Sequence, residues 1–237
     1  MLDPKGRAAL ISGANRGIGR AIASTLHAKG YCVSLGARNE AALGTMTRGW
    51  DKARVHIAHY DAADRATHAA WIAAAVQRFG RIDILVNNAG MSSPVTLRDD
   101  NEAGLDAIWA VNCKAPLNMI RLALPHLEAA GSGRIVNVAS LSGKRVRNDF
   151  VAYNMTKFAV VALTHAARRA GWDKGVRATA VCPSFVRTEM TASATKITPE
   201  QMIDPADLAE LVTTIVALPN TAAIAELLVN CRHEDMV

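Results

Sequence analysis

Apolar residues along this chain come in short runs that alternate with longer amphipathic stretches, and the alternation is sustained throughout. Residues 7–12 form an apolar run of the length a buried strand needs. Residues 17–29 switch to helical spacing and stop at Gly30, a residue suited to helix C-termini. The same switching predicts strands at 31–36, 55–60, 82–86, 134–139, 176–181 and 225–229. Between them it predicts helices at 39–48, 64–79, 101–130, 151–169 and 205–218. Strands interleaved with helices mean successive βαβ units. The expected fold is therefore α/β and doubly wound, a mostly parallel seven-stranded sheet with helices on both faces. No linker or low-complexity segment interrupts the pattern, so residues 1–237 are expected to form a single domain.

Composition narrows the options. Half of the residues are hydrophobic and a fifth are charged, as in soluble globular proteins. The net charge of +6 raises nucleic acid as a partner, but Lys and Arg are spread without a basic helix or interleaved aromatics, so none is expected. No apolar stretch reaches the ~18 residues of a membrane span, and Ala8-Ala9-Leu10-Ile11 is too short for an export leader. Cys32, Cys113, Cys182 and Cys231 have no paired spacing and read as reduced residues of a cytoplasmic protein. His56 and His59 lie three apart on a strand and so face opposite ways, and no metal site is expected.

Two stretches carry chemistry. The first strand ends in Ser12-Gly13-Ala14-Asn15-Arg16-Gly17-Ile18-Gly19, directly before a helix. Glycines there allow a tight turn and a close backbone approach, and a pyrophosphate would sit at the helix N-terminus. Such turns are also common without a ligand; the strand before and the helix after are what favour a Rossmann-type dinucleotide site. The second stretch is Tyr153-Asn154-Met155-Thr156-Lys157. Positions i and i+4 share a helix face, so phenol and amine point the same way. An ammonium beside a phenol favours the phenolate, which suits a tyrosine that gives and takes a proton near neutral pH.

The G-x-x-x-G-x-G spacing, with Asn87-Asn88-Ala89-Gly90 after the fourth strand and Tyr153 four residues before Lys157, closely resembles the short-chain dehydrogenase/reductase family. The likeness extends to its NADP-dependent carbonyl and 3-oxoacyl reductase-like members. It spans almost the whole chain and implies a dinucleotide-binding and catalytic domain. Ser140, thirteen residues before Tyr153, matches the family's catalytic serine, and Asn112 its active-site asparagine. By resemblance, Tyr153 is the general acid or base, Ser140 holds the reacting oxygen, Lys157 also binds the nicotinamide ribose, and Asn112 holds a relay water. The resemblance assigns cofactor contacts to Gly13, Asn15, Arg16, Gly17, Ile18 and Gly19 in the turn. It adds Arg38, Asp61, Ala62, Asn88, Ala89, Gly90, Val111, Pro183, Val186 and Thr188, beside Tyr153 and Lys157. Two departures stand out. Pro183-Ser184 replaces the family's usual Pro-Gly, and the Asp-Gly-Gly ending is missing. The stretch 188–204 is short, so a small substrate lid is implied.

Cofactor choice follows from the end of the second strand, Leu35-Gly36-Ala37-Arg38-Asn39. Ala37 stands where the family's NAD enzymes carry Asp, while Arg38 and Arg16 suit a 2′-phosphate. NADP(H) is expected over NAD(H). The substrate is a small carbonyl or alcohol, with Met91, Ser92, Leu141, Ser142, Phe150, Ser184 and Phe185 expected around it. Lys144, Arg145 and Arg147 read as a solvated loop, with recruitment of an anionic substrate as the other reading. A silent dinucleotide sensor, an NAD-preferring alcohol dehydrogenase and an epimerase-like enzyme share the fold. The first would be expected to lose part of the set Asn112, Ser140, Tyr153 and Lys157; the short lid speaks against the last. The helix holding Tyr153 is apolar around much of its circumference, and a homotetramer is expected.

Overall fold

Each strand that the alternation predicts is present in the computed structural model, which describes residues 1–195 and 197–233. β1 (Ala8–Ser12) and β4 (Ile84–Asn87) are buried at every position, because helices cover both faces of the sheet there. β2 (Cys32–Ala37), β3 (Val55–His59), β5 (Arg134–Val138), β6 (Arg177–Pro183) and β7 (Glu226–Val229) complete the order β3-β2-β1-β4-β5-β6-β7. All of these pairings are parallel. The strand order reverses between β1 and β4. Loops leaving the C-terminal ends of those two strands therefore diverge and open a crevice.

Helices α1 (Gly17–Ala28), α2 (Glu40–Met46) and α7 (Pro205–Ala217) cover one face, where Ile22, Leu26, Leu43 and Val212 pack on Val33 and Leu35. Helices α3 (Arg65–Phe79), α5 (Ala115–Ala129) and α6 (Val151–Gly171) cover the other. There Trp71, Met119, Ala123 and Ala167 pack on Leu10, Leu85 and Ile135. Fully burying a side chain of this size stabilises by about 1.5–3 kcal/mol. Trp71 lies flat on the sheet because Gly36 lacks a Cβ, which would come within 2.8 Å of the indole ring. The indole N–H donates to Ser34 Oγ at 2.8 Å, so the buried donor is satisfied.

The expected helix over 101–130 is present as an unbroken helical run from Glu102 to Ala129 that widens part-way along. α4 (Glu102–Trp109) runs into a π turn (Ala110–Lys114), and α5 follows. Pro116 is the physical reason. It has no N–H to bond the carbonyl of Asn112, and its ring would press on that carbonyl in a regular α-helix. The wider turn removes the conflict and leaves Asn112 buried at its centre. Smaller shifts occur at strand ends: β2 runs through Ala37 rather than stopping at 36, and β4 begins at Ile84 rather than 82.

Candidate active site

The crevice is built first by glycine. Gly13 and Gly17 adopt φ of +65° and +50°, the left-handed region that other residues avoid. Gly19 is required by packing, since a Cβ there would overlap the Asn88 side-chain nitrogen and the Gly13 carbonyl. Asn88 secures the turn by donating from Nδ2 to the Ser12 carbonyl at 2.9 Å and the Gly13 carbonyl at 3.2 Å. Ser12 Oγ in return accepts the main-chain N–H of Asn88 and of Ala89, both at 3.0 Å. α1 opens without a side-chain cap and without an acidic residue in its first turn. Its N-terminal amides and dipole suit an anion, and the Glu189 carboxylate stands close by, 3.7 Å from where a Cβ of Gly17 would be.

The reacting end is built by α6 and the turn after β5. Lys157 is buried, and its Nζ donates to the Val138 carbonyl at 2.9 Å and lies 5.5 Å from the centre of the Tyr153 ring. An ammonium has three donors, so two remain for the cleft. Ser140 begins the 3₁₀ turn Leu141–Gly143, and its Oγ accepts the Ser142 N–H at 3.1 Å. That leaves the hydroxyl hydrogen to be donated elsewhere. Gly143 lets this turn lie against α6, for a Cβ would come within 2.5 Å of the Lys157 carbonyl oxygen.

Asn112 joins the two halves. Its Oδ1 accepts the Met91 N–H at 2.9 Å, and its Nδ2 donates to the Met91 carbonyl at 2.9 Å and to Thr156 Oγ1 at 3.1 Å. Thr156 Oγ1 in turn donates to the Tyr153 carbonyl at 2.9 Å. The loop after β4 is thereby tied to the same turn of α6 that carries Tyr153 and Lys157. Burial pushes the neighbouring Cys113 thiol up to about 11, and the Cys182 thiol likewise, so neither is a nucleophile at neutral pH.

These elements enclose one cleft of about 330 Å³. A family model described as short chain dehydrogenase matches residues 7–198. The chain belongs to the short-chain dehydrogenase family. Agropine synthesis reductase of Rhizobium rhizogenes is 48% identical over 232 residues, covering 96% of this chain and 53% of that protein. The chain thus spans about half the length of that relative. An uncharacterized oxidoreductase of Staphylococcus haemolyticus (strain JCSC1435) is 30% identical and covers 97% of this chain and 99% of its own. Among solved structures, an alcohol dehydrogenase from the archaeon Thermococcus sibiricus complexed with 5-hydroxy-NADP aligns with a TM-score of 0.85 and 27% identity, covering 94% of this chain and 95% of that one. A 3-ketoacyl-(acyl-carrier-protein) reductase from Brucella melitensis complexed with NADH aligns with a TM-score of 0.87 and 28% identity, covering 96% and 98%.

In this short-chain dehydrogenase, most of the residues singled out from the sequence line that cleft. Gly13, Asn15, Arg16, Gly17 and Ile18 form one wall with Arg38, Asp61 and Ala62. Asn88, Ala89, Gly90, Met91 and Val111 form a second. Ser140, Tyr153 and Lys157 line it too, as do Pro183, Ser184, Val186 and Thr188. Gly19 and Asn112 sit behind the walls, one as packing and one as a strap. Leu141 is a correction: it is buried among Ala139, Val160, Val161 and Cys182, because the 3₁₀ turn aims it into the core. Ser92, Ser142, Phe150 and Phe185 also fall outside the wall, with Phe150 at the exposed start of α6. Ser184 needs no left-handed backbone, since no described non-glycine residue has positive φ.

The basic segment also has a partner. Lys144 pairs with Glu226 of β7 at 2.7 Å, and His165 of α6 lies 2.7 Å from the other oxygen of that carboxylate. Lys144 is held by the protein and is not poised for an anionic substrate. Sequence reasoning missed Tyr60, Val138, Met190 and Thr191, which also line the cleft. Val138 acts through its carbonyl, for which no side-chain signal exists. The segment after β6 is joined to the start of α7 by the bridge Val186↔Ile203 and by the Arg187–Asp204 ion pair. It reaches over the glycine turn, with Thr188 Cγ2 3.2 Å from where a Cβ of Gly17 would stand. Among the described residues no group of three His, Cys, Asp or Glu is placed to hold a metal, and no helix is long and apolar enough to cross a membrane.

Proposed function

We propose that this short-chain dehydrogenase is an NADP(H)-dependent oxidoreductase that moves a hydride between nicotinamide and a carbonyl or secondary alcohol, working as a carbonyl reductase. The carrying observation is that Ser140, Tyr153 and Lys157 open into the same cleft as the glycine turn. The residues fit a dinucleotide: the glycines leave room for its backbone approach, and the uncapped start of α1 suits its pyrophosphate. When bound, that group supplies the hydride. The phenol of Tyr153 gives its proton to the carbonyl oxygen as charge develops there. The Ser140 hydroxyl, already accepting from Ser142, donates to the same oxygen. Lys157 uses its remaining donors on the phenol and the nicotinamide ribose. Asn112 works by fixing the Met91 main chain beside the reacting centre. Reduction is taken as the direction because the relative matched over 96% of this chain is named a reductase.

NADP is preferred because Arg38 and Arg16 are exposed at the cleft edge where β2 ends in Ala37. Glu40, the first acid after β2 in the chain, lies 3.8 Å from His59 Nδ1 and outside the cleft wall, whereas Asp61 and Glu189 line the cleft. An NAD-preferring enzyme is the second reading, favoured by the similar structure solved with NADH. The lid over 188–204, a cytoplasmic location suited to four free cysteines and a homotetramer complete the proposal. Incubating the protein with NADPH, and separately NADH, against a panel of small ketones while following nicotinamide fluorescence tests it. NADPH should be consumed; binding without consumption marks a sensor, and faster use of NADH refutes the cofactor assignment.

A further inference from the structure

The turn that follows β3, Tyr60-Asp61-Ala62, forms one end of the cleft. Its main chain is held from below by a chain of buried polar side chains. His68 of α3 is fully buried and its Nε2 lies 3.0 Å from the Asp61 carbonyl oxygen. Its Nδ1 lies 2.9 Å from Nδ2 of Asn118, a buried residue of α5. Asn118 Oδ1 accepts from Arg65 at 3.0 Å.

The direction of this chain is fixed at its far end. A guanidinium only donates, so the Asn118 oxygen faces Arg65 and its NH₂ faces His68. The Nδ1 of His68 must then accept, and the ring proton sits on Nε2, aimed at the Asp61 carbonyl. The ring is neutral in this arrangement. Burial holds its basicity below that of a free imidazole, outweighing the opposing pull of the Asp61 and Ala62 main chain and of Asp64, while Arg65 adds to the lowering. The Asp61 N–H donates to Thr67 Oγ1 at 3.1 Å, and that hydroxyl lies 3.1 Å from the Asp61 carbonyl and 2.7 Å from the Asp64 carbonyl, so both main-chain polar groups of Asp61 are held from α3, the carbonyl by His68 together with Thr67. The Tyr60 ring stacks on His68 with centroids 5.0 Å apart and meets Trp71 at 5.0 Å. An apolar side chain at 68 would serve packing alone; an imidazole with one donor and one acceptor both used sets the height and tilt of the turn.

We propose that His68 is a positioning residue for the adenosine half of the dinucleotide, fixing through the Asp61 carbonyl the turn that closes that end of the cleft. This rests on the dinucleotide-binding reading above. His68 does not touch the ligand; it acts through Asp61 and Ala62. Asn118, thirty-five residues before Tyr153 in the chain and on a different helix, sets the tautomer.

Isothermal titration of wild type, His68→Leu and His68→Gln with adenosine 2′,5′-bisphosphate, and with reduced nicotinamide mononucleotide, tests the proposal. Loss of one buried hydrogen bond corresponds to about tenfold in affinity. His68→Leu should weaken the bisphosphate by about that factor and the mononucleotide less than about twofold. His68→Gln, whose amide also offers an N–H donor and an acceptor oxygen, should restore most of the bisphosphate affinity. Equal bisphosphate binding by His68→Leu and wild type overturns the proposal, as does Gln performing no better than Leu. Equal weakening of both probes indicates general damage and overturns it too. A wild type that binds neither probe sinks the dinucleotide reading itself, a result distinct from variants that bind like wild type. Should His68→Leu not fold, Asn118→Ala takes its place, with severalfold weakening of the bisphosphate expected and none overturning the idea.

Discussion

At the scale of single residues, the site separates groups that react from groups that hold them. Tyr153→Phe keeps the ring and its packing but removes the proton donor. Turnover should fall by at least about a hundredfold with little change in dinucleotide affinity. Lys157→Ala should harm both, since its ammonium lies beside the phenol and keeps donors for the ribose. Steady-state kinetics with a parallel binding titration checks the pair; near wild-type turnover in Tyr153→Phe would remove the proposed acid. Glu226 belongs to the holding group. Hydrogen bonds from Lys144 and then His165 draw its carboxyl below the usual range. A depressed carboxylate stabilises the fold above the unfolded value of about 4.3, and that stability is lost as pH falls through the lower folded value. The exposure of Lys144 and His165 keeps the effect near 1 kcal/mol. Melting curves of wild type and Glu226→Gln should therefore differ at pH 7 and draw together as the pH falls through the range in which the folded carboxyl takes up its proton; a constant gap would contradict the linkage.

At the scale of elements, the proposed NADP preference rests on the few residues where β2 passes into α2. Asn39 caps α2 by accepting the Ala42 N–H at 3.0 Å, which leaves Ala37 and Arg38 as the residues that meet the cleft. Ala37→Asp combined with Arg38→Ala supplies a ribose anchor and removes a phosphate partner. The preference should move toward NAD by about 2–4 kcal/mol, read as the ratio of kcat/KM for the two cofactors. No movement would locate the discrimination elsewhere. This element was legible in the sequence because strand periodicity ends there and residue types change. The glycine turn and the Tyr153–Lys157 pair were legible for the same reason: their chemistry is carried by side-chain type at fixed spacing. The π turn was not read, although Pro116 signalled a distortion, because the apolar spacing of 101–130 continues across it. Nor could spacing reveal that Leu141 turns inward or that Lys144 finds a carboxylate eighty-two positions away. Contacts between main chain and distant side chains, such as Val138 with Lys157 and Met91 with Asn112, leave no periodic trace.

At the scale of the whole molecule, the outer side of α6 bears on assembly. Val160 and Val161 face the core, but Met155 and Phe158 are about half exposed beside Leu97 and Val146. Together with Trp109 they line a groove of about 810 Å³. Among the described residues β7 is the last strand on that side of the sheet, and Leu228 on it is exposed. Two apolar surfaces on different sides of one chain suit a closed tetramer of two interface types. Light scattering at micromolar concentration should give a tetramer's mass, and a monomer's mass would sink the assignment.

The place of β1 in the sheet has a consequence for how the protein is made. Residues 9–11 pair on one side with Val33, Ser34 and Leu35, and on the other with Ile84, Leu85 and Val86. A ribosome that has delivered β1, β2 and β3 has supplied only the first partner. The second flank of Ala9, Leu10 and Ile11 stays bare until β4 emerges, and a bare apolar strand edge recruits other chains. The strand that leads into the glycine turn is thus the one that waits longest during translation for its neighbour.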